Sequence, residues 1–412
     1  METHLADWIK GTPAGNEAES ILRACVHCGF CNATCPTYQL LGDELDGPRG
    51  RIYQIKQMLE GGDPSAATQL HLDRCLTCMN CETTCPSGVR YGRLVDIGRA
   101  EIEKRVARSA GETLQRKLLR AALTRHWIFD PVVKLGRALR PLLPQKLRDK
   151  LPRTRSAGEA LTRIHARKIL LPGACVQPAL IPAIDAATVR VLDALGIEAV
   201  RARDVGCCGA IDYHLNALEA ARAKARRNID AWWPHIEAGA EAIVSNASGC
   251  GAMLKDYGNL LRDDPAYADK ASRVASRVRD LAELLAPSSS ELVRLCGEPA
   301  AARIAFHPPC TLQHTQKIRG VVESLLSQLG ATLVQVPESH LCCGAAGTYS
   351  ILQSELSRQL RARKLESLQR DKPALILSAN IGCLAHLETG TEIPVRHWIE
   401  WVDAALAHRP LV

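Results

Sequence analysis

The chain has 412 residues, 46% of them hydrophobic and 23% charged, with only 4% aromatic. That is the profile of a globular chain of two or three domains whose cores rest on Leu, Val, Ile and Ala. The net charge of +8 is local: residues 99–170 hold 19 Lys/Arg against 6 Asp/Glu, a balance of +13, which leaves about −5 for the rest. A globally basic nucleic-acid binder would look different, and no nucleic-acid partner is expected. Seventeen cysteines are too dilute for a disulfide scaffold and more than packing needs. The start, METHLADWIKGTPAGNEAES, has no apolar stretch of the secretory kind, and no uncharged run approaches the length of a membrane span. A cytoplasmic, reducing location is expected, where clustered cysteines mean metal or redox chemistry more often than disulfides.

Two internal repeats divide the chain. The first has a period of 50 residues: CVHCGFCNATCP at Cys25, Cys28, Cys31 and Cys35 recurs as CLTCMNCETTCP at Cys75, Cys78, Cys81 and Cys85. Both read C-x2-C-x2-C-x3-C-P. Three thiolates so spaced wrap one corner of a cubic cluster, and the fourth, followed by Pro, reaches to the other cluster. The expected sites are therefore Cys25, Cys28, Cys31 and Cys85 for one 4Fe-4S cluster, and Cys75, Cys78, Cys81 and Cys35 for a second. Zinc is the competing reading, but structural zinc sites use paired C-x2-C knuckles rather than four-cysteine runs ending in Pro. The connection between the runs is long and helical in pattern (RGRIYQIKQMLEGG), which points to a helical ferredoxin domain over residues 1–104. His27 lies between two of these cysteines, and with all eight thiols present it reads as a neighbour of the site rather than a ligand.

Residues 105–165 read as a basic linker. Within it, HWIFDPVVKLGRALRPLLPQKLRDKLPR is apolar and basic, and Pro131, Pro141, Pro144 and Pro152 are expected to break it into short helices. Either it docks a partner or an anionic membrane face, or it is a solvated helix covering a domain junction.

The second repeat has a period near 135 residues and sets lobes at 166–300 and 301–412. Cys175 pairs with Cys310, Cys207-Cys208-Gly209 with Cys342-Cys343-Gly344, and Cys250 with Cys383; KILLPGAC matches RIAFHPPC, and AIVSNASGC matches LILSANIGC. Short apolar runs at Ile169–Leu171, Ala242–Val244 and Ala374–Leu377 read as buried strands, separated by segments of helical spacing. Each lobe is thus expected to be an α/β unit with a parallel sheet, its cysteine loops following the strands. Neighbouring Cα atoms lie about 3.8 Å apart, short of the usual span of a bridged pair, roughly 4.4–6.8 Å. The adjacent cysteines therefore suit a metal or a thiol redox site better than a disulfide. Recurrence of all four positions in both lobes argues against packing alone, and leaves Cys175, Cys207, Cys208, Cys250 and Cys310, Cys342, Cys343, Cys383 as a third and fourth candidate redox site.

Cys296 has no repeat partner and reads as incidental. His307 and His340 precede lobe cysteines and are candidate proton donors or ordinary loop histidines; His214, His314, His386 and His397 have no selecting pattern. Neither a G-x-G-x-x-G nor a P-loop motif occurs, so no flavin or nicotinamide site is expected on this chain.

The stretches ILRACVHCGFCNATCPTYQLLGDELDGPRGRI, LDRCLTCMNCETTCPSGVRY, GCCGAIDYHLNA, NIDAWWP, ASGCGA, LCCGAAGTY and ANIGC resemble those of the iron–sulfur subunits of bacterial glycolate oxidase (glycolate dehydrogenase). The resemblance covers nearly the whole chain and is weakest at 105–165. It implies an α+β multidomain protein, a helical two-cluster ferredoxin domain followed by a duplicated cysteine-rich (CCG) domain. It also implies a subunit, inactive toward glycolate alone, that works beside FAD-containing partners oxidising glycolate to glyoxylate. Such a subunit passes electrons toward a membrane quinone or another acceptor, with peripheral contact at the cytoplasmic face of the inner membrane. The broader group includes iron–sulfur subunits for lactate and glycerol-3-phosphate oxidation and heterodisulfide reductases. In the last, the lobes end in C-x-x-C and hold non-cubane clusters. Here Ala247 and Asn380 stand where the first cysteine of that pair falls, so each lobe keeps four of five cysteines. Three classes of function follow: an electron-transfer subunit, a thiol/disulfide enzyme built on the lobe cysteines, or a zinc-dependent binding module.

Overall fold

A computed structural model describes residues 1–142, 155–160, 163–296 and 302–409. They fall into two units, Met1–Arg116 with His340–Leu360, and Lys117–Ser339 with Arg361–Val412. Only helices of eight or more residues are labelled below.

The first unit is helical. Helix α1 (Pro13–Ala24) starts where the Thr12 side chain accepts from the Gly15 amide and Pro13 presets the first turn. It is followed by α2 (Pro48–Leu59), α3 (Ala66–Asp73), whose Ser65 and Thr68 form a reciprocal capping box, and α4 (Tyr91–Arg105). Ile21, Leu22, Ile52, Ile55, Leu59, Leu72, Leu94 and Ile102 make one core among them. At about 1.5–3 kcal/mol for each fully buried aliphatic side chain, this core is what holds the cysteine loops in place.

Helices α5 (Ala110–Thr124) and α6 (His126–Ala138) fill the described part of the basic segment. Pro131 does not break α6 as the sequence suggests. Pro131 is exposed, and the helix runs on through it to Ala138 with one backbone hydrogen bond fewer. Pro141 closes a 3-10 turn at Arg140–Leu142; Pro144 and Pro152 lie outside the described residues.

The rest of the chain builds two parallel sheets. The first holds β1 (Arg167–Leu170), β2 (Ile197–Val200), β3 (Ile243–Ser245) and β4 (Val278–Asp280) in the order β2-β1-β3-β4. Its helices are α7 (Pro182–Ala194), α8 (Leu218–Glu237), α9 (Ser248–Lys255) and α10 (Ala268–Arg277). The second sheet, β5 (Arg303–His307), β6 (Thr332–Leu333), β7 (Leu375–Ser378) and β8 (Val395–His397), repeats the order as β6-β5-β7-β8. Its helices are α11 (Val321–Gln328), α12 (Ser354–Gln369), α13 (Ile381–Glu388) and α14 (Trp398–Leu406). All pairings are parallel, for example Ile169 with Ala199 and Ile304 with Leu375. The two sheets are tied through α7 and α14, where Arg190 makes a two-pronged bond to the Asp403 carboxylate at 2.7 and 2.8 Å.

Two features differ from the expected layout. Each sheet has a fourth strand, three residues long with a partly or fully exposed basic residue in the middle, too short to show a period. Cys250 and Cys383 sit in the first turns of α9 and α13 rather than in loops.

Candidate metal centre

The two cysteine runs fold alike. Cys25 ends α1 and Cys75 follows α3; the chain then turns through left-handed residues, His27 and Gly29 in one run, Thr77 and Met79 in the other. Each run enters a short helix, Phe30–Ala33 or Asn80–Thr84, that carries the third cysteine and ends just before the fourth. Three non-glycine residues in this region are costly, and such conformations gather where a site needs them. The Asn80 side chain donates to the Thr34 carbonyl at 2.9 Å, tying the end of one run to the start of the other's helix.

This crossing brings the two runs together. Cys25, Cys28, Cys31 and Cys85 line one hollow, and Cys81 of the second run also reaches it. Burial, then Cys25, Cys85 and Cys28, pushes the Cys31 thiol up to about 11. Burial and then Cys78, Cys35, Cys75 and Cys31 raise Cys81 well above the usual thiol range. Cys75 goes the opposite way. Burial resists its ionisation, but the Arg51 and Arg99 guanidiniums, the Tyr91 hydroxyl at 3.5 Å and the Thr77 amide at 3.4 Å lower its pKa. Arg51 is buried and donates to the His71 carbonyl, Thr37 and Asp46, while Arg99 holds the carbonyls of Leu72 and Cys75. Two sets of four soft donors that repel one another as thiolates fit a multiply charged metal centre. Cys28 is exposed, whereas Cys35, Cys75, Cys78 and Cys81 are all buried. The Nε2 of His27 is buried without a hydrogen-bond partner, its ring 6.0 Å from that of Tyr53.

In the first lobe Cys175, Cys207-Cys208 and Cys250 follow the carboxyl ends of β1, β2 and β3. There β1 lies between the other two, so the chain reverses direction across the sheet, which is where open parallel sheets place ligands. The four thiols form a chain of contacts. Cys207 accepts from Cys175 and Cys208, which drives its pKa down despite burial, and Cys208 is also bonded to Cys250. The amide of Gly209, a residue at φ +92°, donates to the Cys207 sulfur at 3.5 Å, and a Cβ there would lie 3.2 Å from the Ala221 carbonyl. Asn228 and Tyr257 anchor the cysteine backbone: Asn228 Nδ2 donates to the Cys207 carbonyl at 3.1 Å, and the Tyr257 hydroxyl to that of Cys208 at 3.0 Å.

The second lobe repeats the turn, with Gly344 at φ +88° and its amide 3.4 Å from the Cys342 sulfur. Cys342 and Cys343 belong to the first unit, Cys310 and Cys383 to the second. Asn380 caps α13; its Nδ2 reaches the Cys383 sulfur at 3.6 Å and its Oδ1 accepts from the Gly249 amide at 3.2 Å. Ala247, at the same place on α9, has no such side chain. His307 is fully buried, both ring nitrogens lack a hydrogen-bond partner, and burial keeps it neutral; one of them lies within 4.8 Å of the Cys383 sulfur. His340 is partly buried, and His397 caps α14 through its Nδ1. Cys296 is buried, its thiol pushed up to about 11 by burial alone. Sequence reasoning missed Arg51, Arg99, Asn228 and Tyr257, none of which stands in a motif.

The chain is 54% identical over 407 residues to the glycolate oxidase iron–sulfur subunit of Escherichia coli (strain K12), covering 98% of this chain and 99% of the relative. The chain belongs to the family of glycolate oxidase iron–sulfur subunits. Residues 21–89 match the 4Fe-4S dicluster domain family, and residues 172–255 and 304–388 each match the cysteine-rich domain family. The first match contains both cysteine runs, and the other two contain the four cysteines of each lobe. A probable glycolate oxidase iron–sulfur subunit of Bacillus subtilis (strain 168) is 28% identical over 91% of this chain and 90% of its own length. Lactate utilization protein A of Geobacillus thermodenitrificans is also 28% identical, over 57% of this chain and 97% of its own length. In this glycolate oxidase iron–sulfur subunit, then, the dicluster region is helical and the cysteine-rich domain is a four-stranded parallel sheet used twice.

Proposed function

We propose that this chain is the electron-transfer subunit of a flavin-dependent glycolate dehydrogenase complex and is by itself inactive toward glycolate. Cys25, Cys28, Cys31 and Cys85 hold one 4Fe-4S cluster, and Cys75, Cys78, Cys81 and Cys35 hold the other. Partner subunits carry the FAD that takes two electrons as glycolate becomes glyoxylate, and the acceptor beyond this chain is a membrane quinone or an equivalent carrier. The chain works in the cytoplasm, at the inner face of the membrane; among the described residues no helix is long and apolar enough to cross one. The observation that supports the reading is that the last cysteine of each run lies with the other run: Cys85 with Cys25, Cys28 and Cys31, and Cys35 near Cys81, with Cys31 and Cys81 themselves close enough to interact.

Bound there, 4Fe-4S clusters supply one-electron storage, which lets a two-electron flavin discharge in single steps. The chain's own residues set the conditions. Arg51 and Arg99 bring positive charge to the buried Cys75 side, the Thr77 amide donates to its sulfur, and the exposed Cys28 brings the first group to the surface. The lobe thiols form a further redox site, as a cluster or as thiols; Cys175, Cys207, Cys208 and Cys250 are in mutual contact and support it. The lactate relatives match only about half of the chain at 28% identity, which favours glycolate as the substrate of the complex.

Iron and sulfide analysis of anaerobically purified chain tests the reading: about eight Fe per chain is expected from two cubes, more if the lobes hold a cluster, and zinc without iron would sink it. In the assembled complex, Cys28→Ser should leave flavin reduction by glycolate intact and stop electron delivery to the acceptor. Delivery at the wild-type rate would take the first group off the path.

A further inference from the structure

Helix α6 is mounted the wrong way round for a surface helix of a soluble protein. Its inner side is committed: Val133 is buried, and Arg137 donates to the carbonyls of Ala179 at 3.1 Å and Leu180 at 2.6 Å. Both bonds pin the helix to the first lobe. Helical spacing puts Trp127, Val132, Leu135 and Leu139 on the opposite side, and Leu142 in the following 3-10 turn continues the stripe. All five are exposed, Trp127 by 65% and Leu142 by 81%. An apolar stripe of this extent on a soluble surface marks an interaction site.

The charges around it indicate what that site meets. Between residues 117 and 142 there are six basic residues and one acid, Asp130. Arg125 and Lys134 are exposed beside the stripe, and Arg140 is partly so. A helix with tryptophan and leucine on one side, Lys and Arg along its borders and no capacity to span is the form that lies in a bilayer interface. Arg125, Lys134 and Arg140 around an apolar stripe give this face the charge complement of an anionic lipid surface, roughly fivefold in affinity for each cation near it.

We infer that the outer face of α6 docks on an anionic lipid bilayer. Trp127, Leu135, Leu139 and Leu142 enter the boundary between headgroups and acyl chains, and Arg125 and Lys134 meet the lipid phosphates. This deepens the proposed membrane-side electron delivery by naming the contact, but it stands on the surface chemistry of α6 and would hold for any substrate of the complex.

The test is sedimentation of the full chain with phosphatidylcholine vesicles that contain or lack phosphatidylglycerol. Binding is expected to the anionic vesicles, to weaken with salt, and to bring Trp127 within reach of brominated acyl chains, a quenching component that Trp127→Phe removes. The double change Leu135→Glu and Leu139→Glu should weaken binding roughly 100-fold, about tenfold for each leucine kept out of the lipid. Lys134→Gln, which leaves the stripe intact and removes one positive charge, should weaken it roughly fivefold. The positions are exposed, so iron content and reduction by dithionite should match wild type, and these readouts separate a failure of docking from a failure of the cluster assignment. Equal binding to neutral vesicles, no binding to anionic ones, or undiminished binding by the double variant would overturn the inference. So would a double variant that still binds vesicles but no longer co-purifies with its flavoprotein partners, because the face would then be a protein interface.

Discussion

Arg51→Gln isolates one buried charge beside one group of cysteines. The guanidinium is 1% exposed in its side chain; burial works against its charge, but Tyr91, Cys75, Cys35 and Asp46 together hold it more firmly protonated than usual. Cys75 and Cys35 are assigned to the second cluster, and none of the first group's cysteines is among these neighbours. A cation favours the more negative, reduced state of a cluster, so its loss should lower that cluster's potential. An opposite charge at close range shifts a titration by roughly 1–3 pK units. One unit is about 1.4 kcal/mol, or about 59 mV for one electron, so a fall of roughly 60–180 mV is expected for the second cluster. Arg51→Lys, which keeps the charge, should recover part of it. Asp46 is not stranded by the change, because Arg74 at 2.8 Å and His71 at 3.1 Å remain on its carboxylate; the variant should therefore fold and load iron. The assay is an EPR-monitored redox titration of both clusters. A second potential that stays or rises, or an equal fall in both, would refute the assignment of Arg51 to one cluster.

Three further outcomes follow from buried polar groups. Asp46→Asn should cost about 3–5 kcal/mol in urea unfolding, more than Arg51→Gln, because it leaves the buried Arg51 charge without its carboxylate. Burial raises the Asp280 carboxyl to about 6 from an ordinary 3.8, so its stabilising contribution is complete below about pH 3.8 and is lost as pH rises through 6. Asp280→Asn, which can still cap its helix, should be more stable than wild type at pH 8 by up to about 3 kcal/mol, with the gap closing toward pH 4; a gap that does not change with pH would contradict this. Tyr257→Phe removes the donor to the Cys208 carbonyl and the acceptor for Asn228, and should lower stability by about 1–2 kcal/mol, read as a shift in the urea midpoint.

What was legible in the sequence was what metal geometry and repetition impose on spacing. Eight cysteines at fixed intervals carry the two groups, because a cube corner needs its ligands within one turn of chain. Repeated strand–cysteine pairs carry the parallel sheets, because a buried strand must be apolar throughout. What was hidden is set by long-range packing. Arg51 stands in RGRI like any surface arginine, and only Asp46, Thr37 and the carbonyl of His71, brought to it by the fold, show that it is buried. Pro131 reads as a helix break because a lone sequence does not reveal that buried Val133 and the bonds of Arg137 to Ala179 and Leu180 hold the helix beyond it. Strands β4 and β8 are three residues each, below the length at which alternation can be recognised.

The two lobes show where duplication stops. Backbone order, the CCG turn and the placing of Cys250 and Cys383 in helix first turns are shared, so the elements that carry the lobe cysteines were duplicated. The side chains around it were not. Pro172 in one lobe is His307 in the other, and Ala247 is Asn380. Asn380 spans both lobes, accepting from the Gly249 amide next to Cys250 and donating to the Cys383 sulfur. An amide cannot take the place of a thiolate on iron, but its N–H stabilises charge on the neighbouring sulfur. Asn380→Ala should therefore weaken folding by about 1–2 kcal/mol through the stranded Gly249 amide, read as a fall in the urea midpoint. If the midpoint stayed at the wild-type value, the Asn380–Gly249 bond would not tie the two lobes together.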